Sequence, residues 1–150
     1  MIVSKKILQI LQGNNYRLTR GRLAVLQVMA AHPYECLTTL QIYAYSVEVL
    51  SSISVPTVYR IVSLFCSLHI LHRVRINGRG CFYELIAAEN ENHPYCVCRQ
   101  CGKIFSVFDT QVLKAFSNCE QEINTFYNFQ IETTNLIYYG ICKTCHKRKD

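Results

Sequence analysis

No apolar run in the chain approaches the roughly 18 residues needed to cross a bilayer. The first 20 residues lack both a sustained apolar h-region and a small-residue cleavage site. A membrane-spanning or exported protein is therefore not expected. Charge is also scarce: 17% of residues are charged and 50% apolar, too little charge for a disordered chain and enough apolar surface to bury a core. At 150 residues the chain holds one ordinary domain or two small ones, which excludes a large multi-domain enzyme. Acidic residues are nearly missing from the first 80 positions, where nine Lys or Arg face two acids, whereas residues 81–150 carry seven basic and eight acidic residues. The net charge of +6 thus comes from the first half. A basic half suggests a polyanion partner, most simply nucleic acid, with a well-solvated surface as the plainer alternative.

Cysteine, by contrast, is abundant, with nine in the chain and six between positions 96 and 145. Four form two CxxC pairs, Cys98/Cys101 and Cys142/Cys145, separated by 40 intervening residues. Without a secretion signal this pattern favours metal over disulfides and places the protein in a reducing compartment, the cytoplasm. Two such pairs supply four thiolates to one tetrahedral zinc ion at about 2.3 Å, and a four-cysteine shell leaves no open position, so the zinc is structural. Gly102 and Gly140 allow the backbone turns that such knuckles need. The rival reading is a thiol redox protein acting through the CxxC pairs.

Hydrophobic periodicity places helices in the first half. Residues 2–11 carry apolar side chains at helical spacing until Gly13-Asn14-Asn15 stops them; Thr19 caps a second helix with Leu23, Val25, Leu26, Val28 and Met29. Thr38 with Gln41 is a capping-box pattern opening a third helix, with Leu40, Tyr43, Ala44 and Val47 on one face. Pro56 suits the first turn of a fourth helix, whose core stripe is Val58, Ile61, Val62, Phe65 and Leu68, leaving Thr57 and Arg60 outside and Tyr59 at the edge. Strands over 70–76 and 81–85 flank the tight-turn signal Asn77-Gly78-Arg79-Gly80. Helices followed by a hairpin are the layout of a winged helix. Residues 87–92 read as a linker between a domain at 1–86 and a smaller one at 93–150. The latter combines an extended stretch through Cys98, a strand at 104–108, a helix from Asp109 with Val112, Leu113, Phe116 and Ile123 inward, and strands near 126–132 and 136–140. The fold class is α+β.

The pieces Tyr16–Leu26 (YRLTRGRLAVL), Ser54–Arg60 (SVPTVYR), Phe82–Leu85 (FYEL), Cys98–Gly102 (CRQCG) and Gly140–Cys145 (GICKTC) span almost the whole chain, and in that order the sequence resembles the ferric uptake regulator family of metal- or peroxide-responsive repressors. The resemblance implies a homodimer, with an N-terminal winged-helix domain on double-stranded operator DNA and a C-terminal α/β dimerisation domain holding the four-cysteine zinc. It makes Tyr59 and Arg60 the DNA-facing pair, with Thr57 nearby and Arg17 before the second helix. Arg73, Arg75 and Arg79 are phosphate contacts or an ordinary solvated strand edge.

The family's inter-domain sensing site maps to Cys36, Glu84, His93 and Tyr95, histidine being usual at 36 and 95. Cys36, Glu84 and His93 are the candidate ligands of a second, regulatory divalent metal, Zn(II) or Fe(II), with thiolate favouring zinc. Cys96 is either a fourth ligand or a core residue. The family's further site maps to Asn92, Pro94, Asp109 and Asn135, where only Asp109 still ligates, and Asp109 is equally a helix N-cap. His32, His69, His72 and His146 read as surface residues. The alternative to metal response is a family member whose sensor has eroded and which binds DNA without a metal signal.

Overall fold

The computed structural model describes residues 4–86 and 93–147. Its contacts divide the chain into two units, Met1–Ala87 and Ala88–Asp150, and the residues expected to form the linker, 87–92, lie outside the described ones.

The first unit is built from four helices and a hairpin: α1 (Lys5–Gly13), α2 (Arg20–Ala31), α3 (Thr39–Val49), α4 (Val55–Ser67), β1 (Leu71–Ile76) and β2 (Gly80–Leu85). The caps follow the sequence. Thr19 accepts a hydrogen bond from the Arg22 amide at 3.3 Å, and Thr38 and Gln41 close a complete capping box. Pro56 sits in the first turn of α4, where no backbone donor is missed. Leu11, Val25, Leu26, Met29, Ile42, Val58, Val62 and Phe65 interlock in one core with Ile70, Leu71 and Tyr83. The buried face of α3 differs from expectation: Ile42 is fully buried and Leu40 is 59% exposed, so the helix turns Thr39, Ile42 and Ser46 toward the core. β1 and β2 are antiparallel, from Leu71↔Leu85 to Ile76↔Gly80, with Gly78 and Gly80 at φ of 74° and 91° making the turn.

The second unit has β3 (Tyr95–Cys98), β4 (Ile104–Ser106), α5 (Thr110–Tyr127), β5 (Ile137–Gly140) and α6 (Lys143–His146). The strand order is β4-β3-β5, antiparallel on one side of β3 and parallel on the other. The strand expected near 126–132 is not formed. α5 continues to Tyr127, Asn128 ends it in the left-handed conformation at φ 48°, and residues 129–135 form no strand, the Leu136 carbonyl accepting from the Tyr95 amide of β3 at 2.8 Å. The strand expected over 104–108 stops at Ser106 because Asp109 begins the helix cap, accepting from the amides of Gln111 and Val112. α5 buries no residue: Leu113, Phe116 and Ile123 are half-buried and Val112 is exposed.

Candidate metal centre and nucleic-acid interface

Antiparallel pairing of β3 with β4 makes a knuckle of Cys98–Gly102: the Lys103 carbonyl accepts from the Cys98 amide at 2.9 Å, and the Cys98 carbonyl accepts from the Gly102 amide at 2.9 Å. Gly102 has φ 78°, which a side chain would strain. Parallel pairing of β3 with β5 delivers the second knuckle, the Arg99 amide reaching the Gly140 carbonyl at 2.8 Å. Gly140 itself needs no positive φ; it continues β5, so its expected role as a turn residue is corrected.

The sulfurs of Cys98, Cys101, Cys142 and Cys145 consequently lie within 4.8 Å of one another. Cys101 and Cys142 are 3.7 Å apart, too far for a disulfide of about 2.04 Å and close to the edge of about 3.8 Å that a tetrahedron of sulfurs has when each is about 2.3 Å from zinc. The donor set fits zinc. Amide donors from Cys101 and Cys142 hold the Cys98 thiol down to about pKa 6, and the Cys145 amide lowers that of Cys142. Burial, reinforced by the neighbouring sulfurs, pushes Cys145 up to about 12. Four thiolates crowded together require a cation among them, and zinc, once bound, supplies that charge and ties residues 98–101 to 142–145. Four sulfurs gathered around one point favour the zinc reading over the thiol redox one.

On the other unit, α4 anchors itself by Val58, Ile61, Val62 and Phe65 and turns Tyr59, 51% exposed, and Arg60 outward. Thr57 is half-buried, its hydroxyl 2.8 Å from that of Ser54. Arg17 is exposed, and its carbonyl accepts from the Arg22 guanidinium. A cavity of about 330 Å³ beside these residues is lined by Arg22, Thr57 and Arg60.

Of the sensor residues, Cys36 and Glu84 are brought together in the first unit, both buried, with Sγ 3.9 Å from Oε2. His93 belongs to the second unit, where its buried ring lies 4.3 Å from that of Phe108 and 4.8 Å from that of Tyr95. Cys96 is half-buried on the middle strand, burial raising its thiol pKa. Asp109 acts as an N-cap. His72 was missed. It is not a free surface residue, since its Nδ1 lies 3.3 Å from Oε1 of the buried Glu84. Counting outward from the Asn77–Gly80 turn would have found it, because the hairpin register places 72 opposite 84.

A helix-and-hairpin unit presenting Tyr59 and Arg60, followed by a four-cysteine zinc unit, defines a zinc-stabilised DNA-binding regulator. The sequence profile of the ferric uptake regulator family matches residues 13–139, and the chain belongs to that family. The ferric uptake regulation protein of Haemophilus influenzae is 29% identical over 140 residues, covering 93% of this chain and 92% of that protein. The crystal structure of the Vibrio cholerae ferric uptake regulator is similar with a TM-score of 0.70 at 25% identity, covering 89% of this chain and 98% of that one. A zinc uptake regulator solved with zinc and DNA shares the fold, with a TM-score of 0.62 at 18% identity over 96% of this chain and 93% of that one. Members of this family are metal-responsive transcriptional regulators and not enzymes. Among the described residues, no helix is long and apolar enough to cross a membrane.

Proposed function

We propose that this chain is a cytoplasmic, dimeric repressor that reads a palindromic operator and responds to a divalent metal. The observation that carries it is the outward pair Tyr59 and Arg60 on a helix whose other face is locked into the core. α4 enters the major groove; Arg60 contacts a base edge or phosphate, Tyr59 packs on thymine methyls, Thr57 assists, and Arg17 grips the backbone. Residues 1–86 form the DNA-binding domain and 93–150 the dimerisation domain. The second copy covers the apolar side chains left open on the second unit, including Phe126 at 79% and Tyr127 at 80% exposure. Cys98, Cys101, Cys142 and Cys145 hold the structural zinc. Cys36 and Glu84, with His93 as the third donor, take the regulatory metal, and its coupling to DNA equals its preference for the DNA-competent arrangement.

The test is operator binding by metal-depleted protein that retains its structural zinc, titrated separately with Zn(II), Fe(II), Mn(II) and Ni(II). Stimulation by one metal is expected. Equal binding with chelator and with excess metal favours the eroded-sensor alternative. Arg60→Ala weakens operator binding by about 1–3 kcal/mol if it reads a base, and equally on random DNA if it grips phosphate.

A further inference from the structure

α5 runs for 18 residues and buries none of them. Beside it lies a cavity of about 420 Å³, bounded by one face of the helix and by the chain segments that enter β3 and β5. Such a volume is many times the roughly 30 Å³ of one liquid water and falls in the range of about 300–1,000 Å³ typical of small-molecule sites. The wall opposite the helix starts at His93 and Pro94 and ends at Thr134 and Leu136. Its backbone is already satisfied, the Pro94 carbonyl accepting from the Val107 amide at 2.9 Å and the Leu136 carbonyl from the Tyr95 amide at 2.8 Å. Side chains therefore decide what the cavity can hold.

The polar ones set its charge. Asp109 already caps the first turn of α5, accepting from the Gln111 and Val112 amides, so the helix terminus is occupied. Among the described residues Lys114 makes no ion pair. Thr110, four positions before it, and Ser117, three after, line the same cavity and put hydroxyls on the same face of the helix. One turn further, the Glu120 carboxylate accepts from the Thr134 hydroxyl, which joins the two walls. Six positions separate Lys114 from Glu120, about 9 Å along the helix axis. The cavity thus offers one cation flanked by donors for a single negative charge, and a carboxylate that repels a second. Leu113, Phe116 and Leu136 supply an apolar lining beside them.

We propose that this cavity binds a small organic monocarboxylate with an apolar body, its carboxylate on Lys114 between the Thr110 and Ser117 hydroxyls and its hydrocarbon against Leu113, Phe116 and Leu136. The site goes beyond the metal response and does not depend on it. An occupant supplies apolar contacts that α5 lacks and fastens the helix to the segments entering β3 and β5, so it stabilises the second unit alongside the zinc.

Calorimetric titration of the full zinc-loaded chain with phenylpropionate tests this, and one site per chain is expected. Hydrogen bonds to a charged group are worth a factor of about ten or more, so phenylpropanol and phenylpropylamine should bind at least about tenfold more weakly. Succinate and inorganic phosphate, which carry more than one charge, should not bind. Lys114→Met keeps the stem and drops the charge; it should weaken the acid about tenfold and leave the alcohol unchanged. Ser117→Trp fills the space and should abolish binding of the acid, with zinc content and dimer unaltered. Nuclear Overhauser contacts from the phenyl protons to the Leu113 and Leu136 methyls locate the ligand. No binding by the wild-type chain, equal affinity for acid and alcohol, full affinity in Lys114→Met, or binding that survives Ser117→Trp overturns the proposal, and the metal-responsive reading stands in each case.

Discussion

The two units solve the same problem with different chemistry. The first encloses Phe65, Ile42, Met29 and Val25 with essentially no exposure, in a single cluster drawn from all four helices and the hairpin. The second has an 18-residue helix with no buried residue and a three-stranded sheet whose strands are three or four residues long. Its tightest knot is four sulfurs. Apolar burial spreads stabilisation over many side chains, each replaceable at moderate cost, whereas a metal centre concentrates it in four atoms. Tolerance to substitution should therefore be graded in the first unit and close to all-or-none in the second.

The largest effect expected is loss of the zinc. Cys101→Ser or Cys142→Ser should unfold the second unit and leave the first folded, because structural zinc in small metal-held domains contributes on the order of 10 kcal/mol. Far-ultraviolet circular dichroism with metal analysis checks this, and a cysteine variant that keeps a native second unit without zinc would break the comparison. Acid should act in the same way. The Cys98 thiol sits near pKa 6 in the folded chain against 9.0 when unperturbed. Its contribution is thus full above pH 9, shrinks as pH falls and is gone below about 6. Zinc should be retained at neutral pH and released on acidification, because protons compete with the metal for the thiolates, as read with a chromophoric chelator.

A core truncation in the first unit comes next. Phe65→Ala should cost about 3–5 kcal/mol, lowering the denaturation midpoint of that unit with its slope unchanged and without touching zinc content. The smallest effects are the caps, one in each unit. Thr38→Ala and Asp109→Ala should each cost about 1 kcal/mol. Thr38→Ala should act on the first unit whether or not zinc is bound. Asp109→Ala should be masked while zinc is present and appear as faster zinc loss to chelator, which sharpens the contrast between the two kinds of stabilisation.

Legibility in the sequence followed the same division. α2 could be read because Thr19 caps an apolar run, α4 because its core stripe and its first-turn proline agree, and the four zinc ligands because their spacing is itself the coordination chemistry. α3 was placed correctly in sequence but its face was misjudged: Leu40 and Ile42 are both apolar, and only the packing of α2 and α4 decides which is buried. The strand expected near 126–132 failed because its residues are apolar and aromatic but lack a partner strand, and pairing is not a local property. His72 escaped notice because it matters only through its register with Glu84. Cross-strand neighbours appear in a sequence only after the turn has been used as the origin for counting.

The segment after α5 has a length consequence. α5, at 18 residues, is about 27 Å long. It starts beside the end of β4, which is also the end of the sheet where β5 begins, since Tyr95 pairs with both Ser106 and Ile137. The chain must therefore run back along the helix. It does so with the Asn124 side chain accepting from the Ile131 amide at 3.2 Å and Thr134 donating to Glu120. The ten steps from Tyr127 to Ile137 fully extended reach about 33 Å, so the return path has roughly two residues to spare. Extra residues there can loop out. Removing more than that slack would unwind the end of the helix or pull β5 out of register, and with β5 the knuckle that follows it.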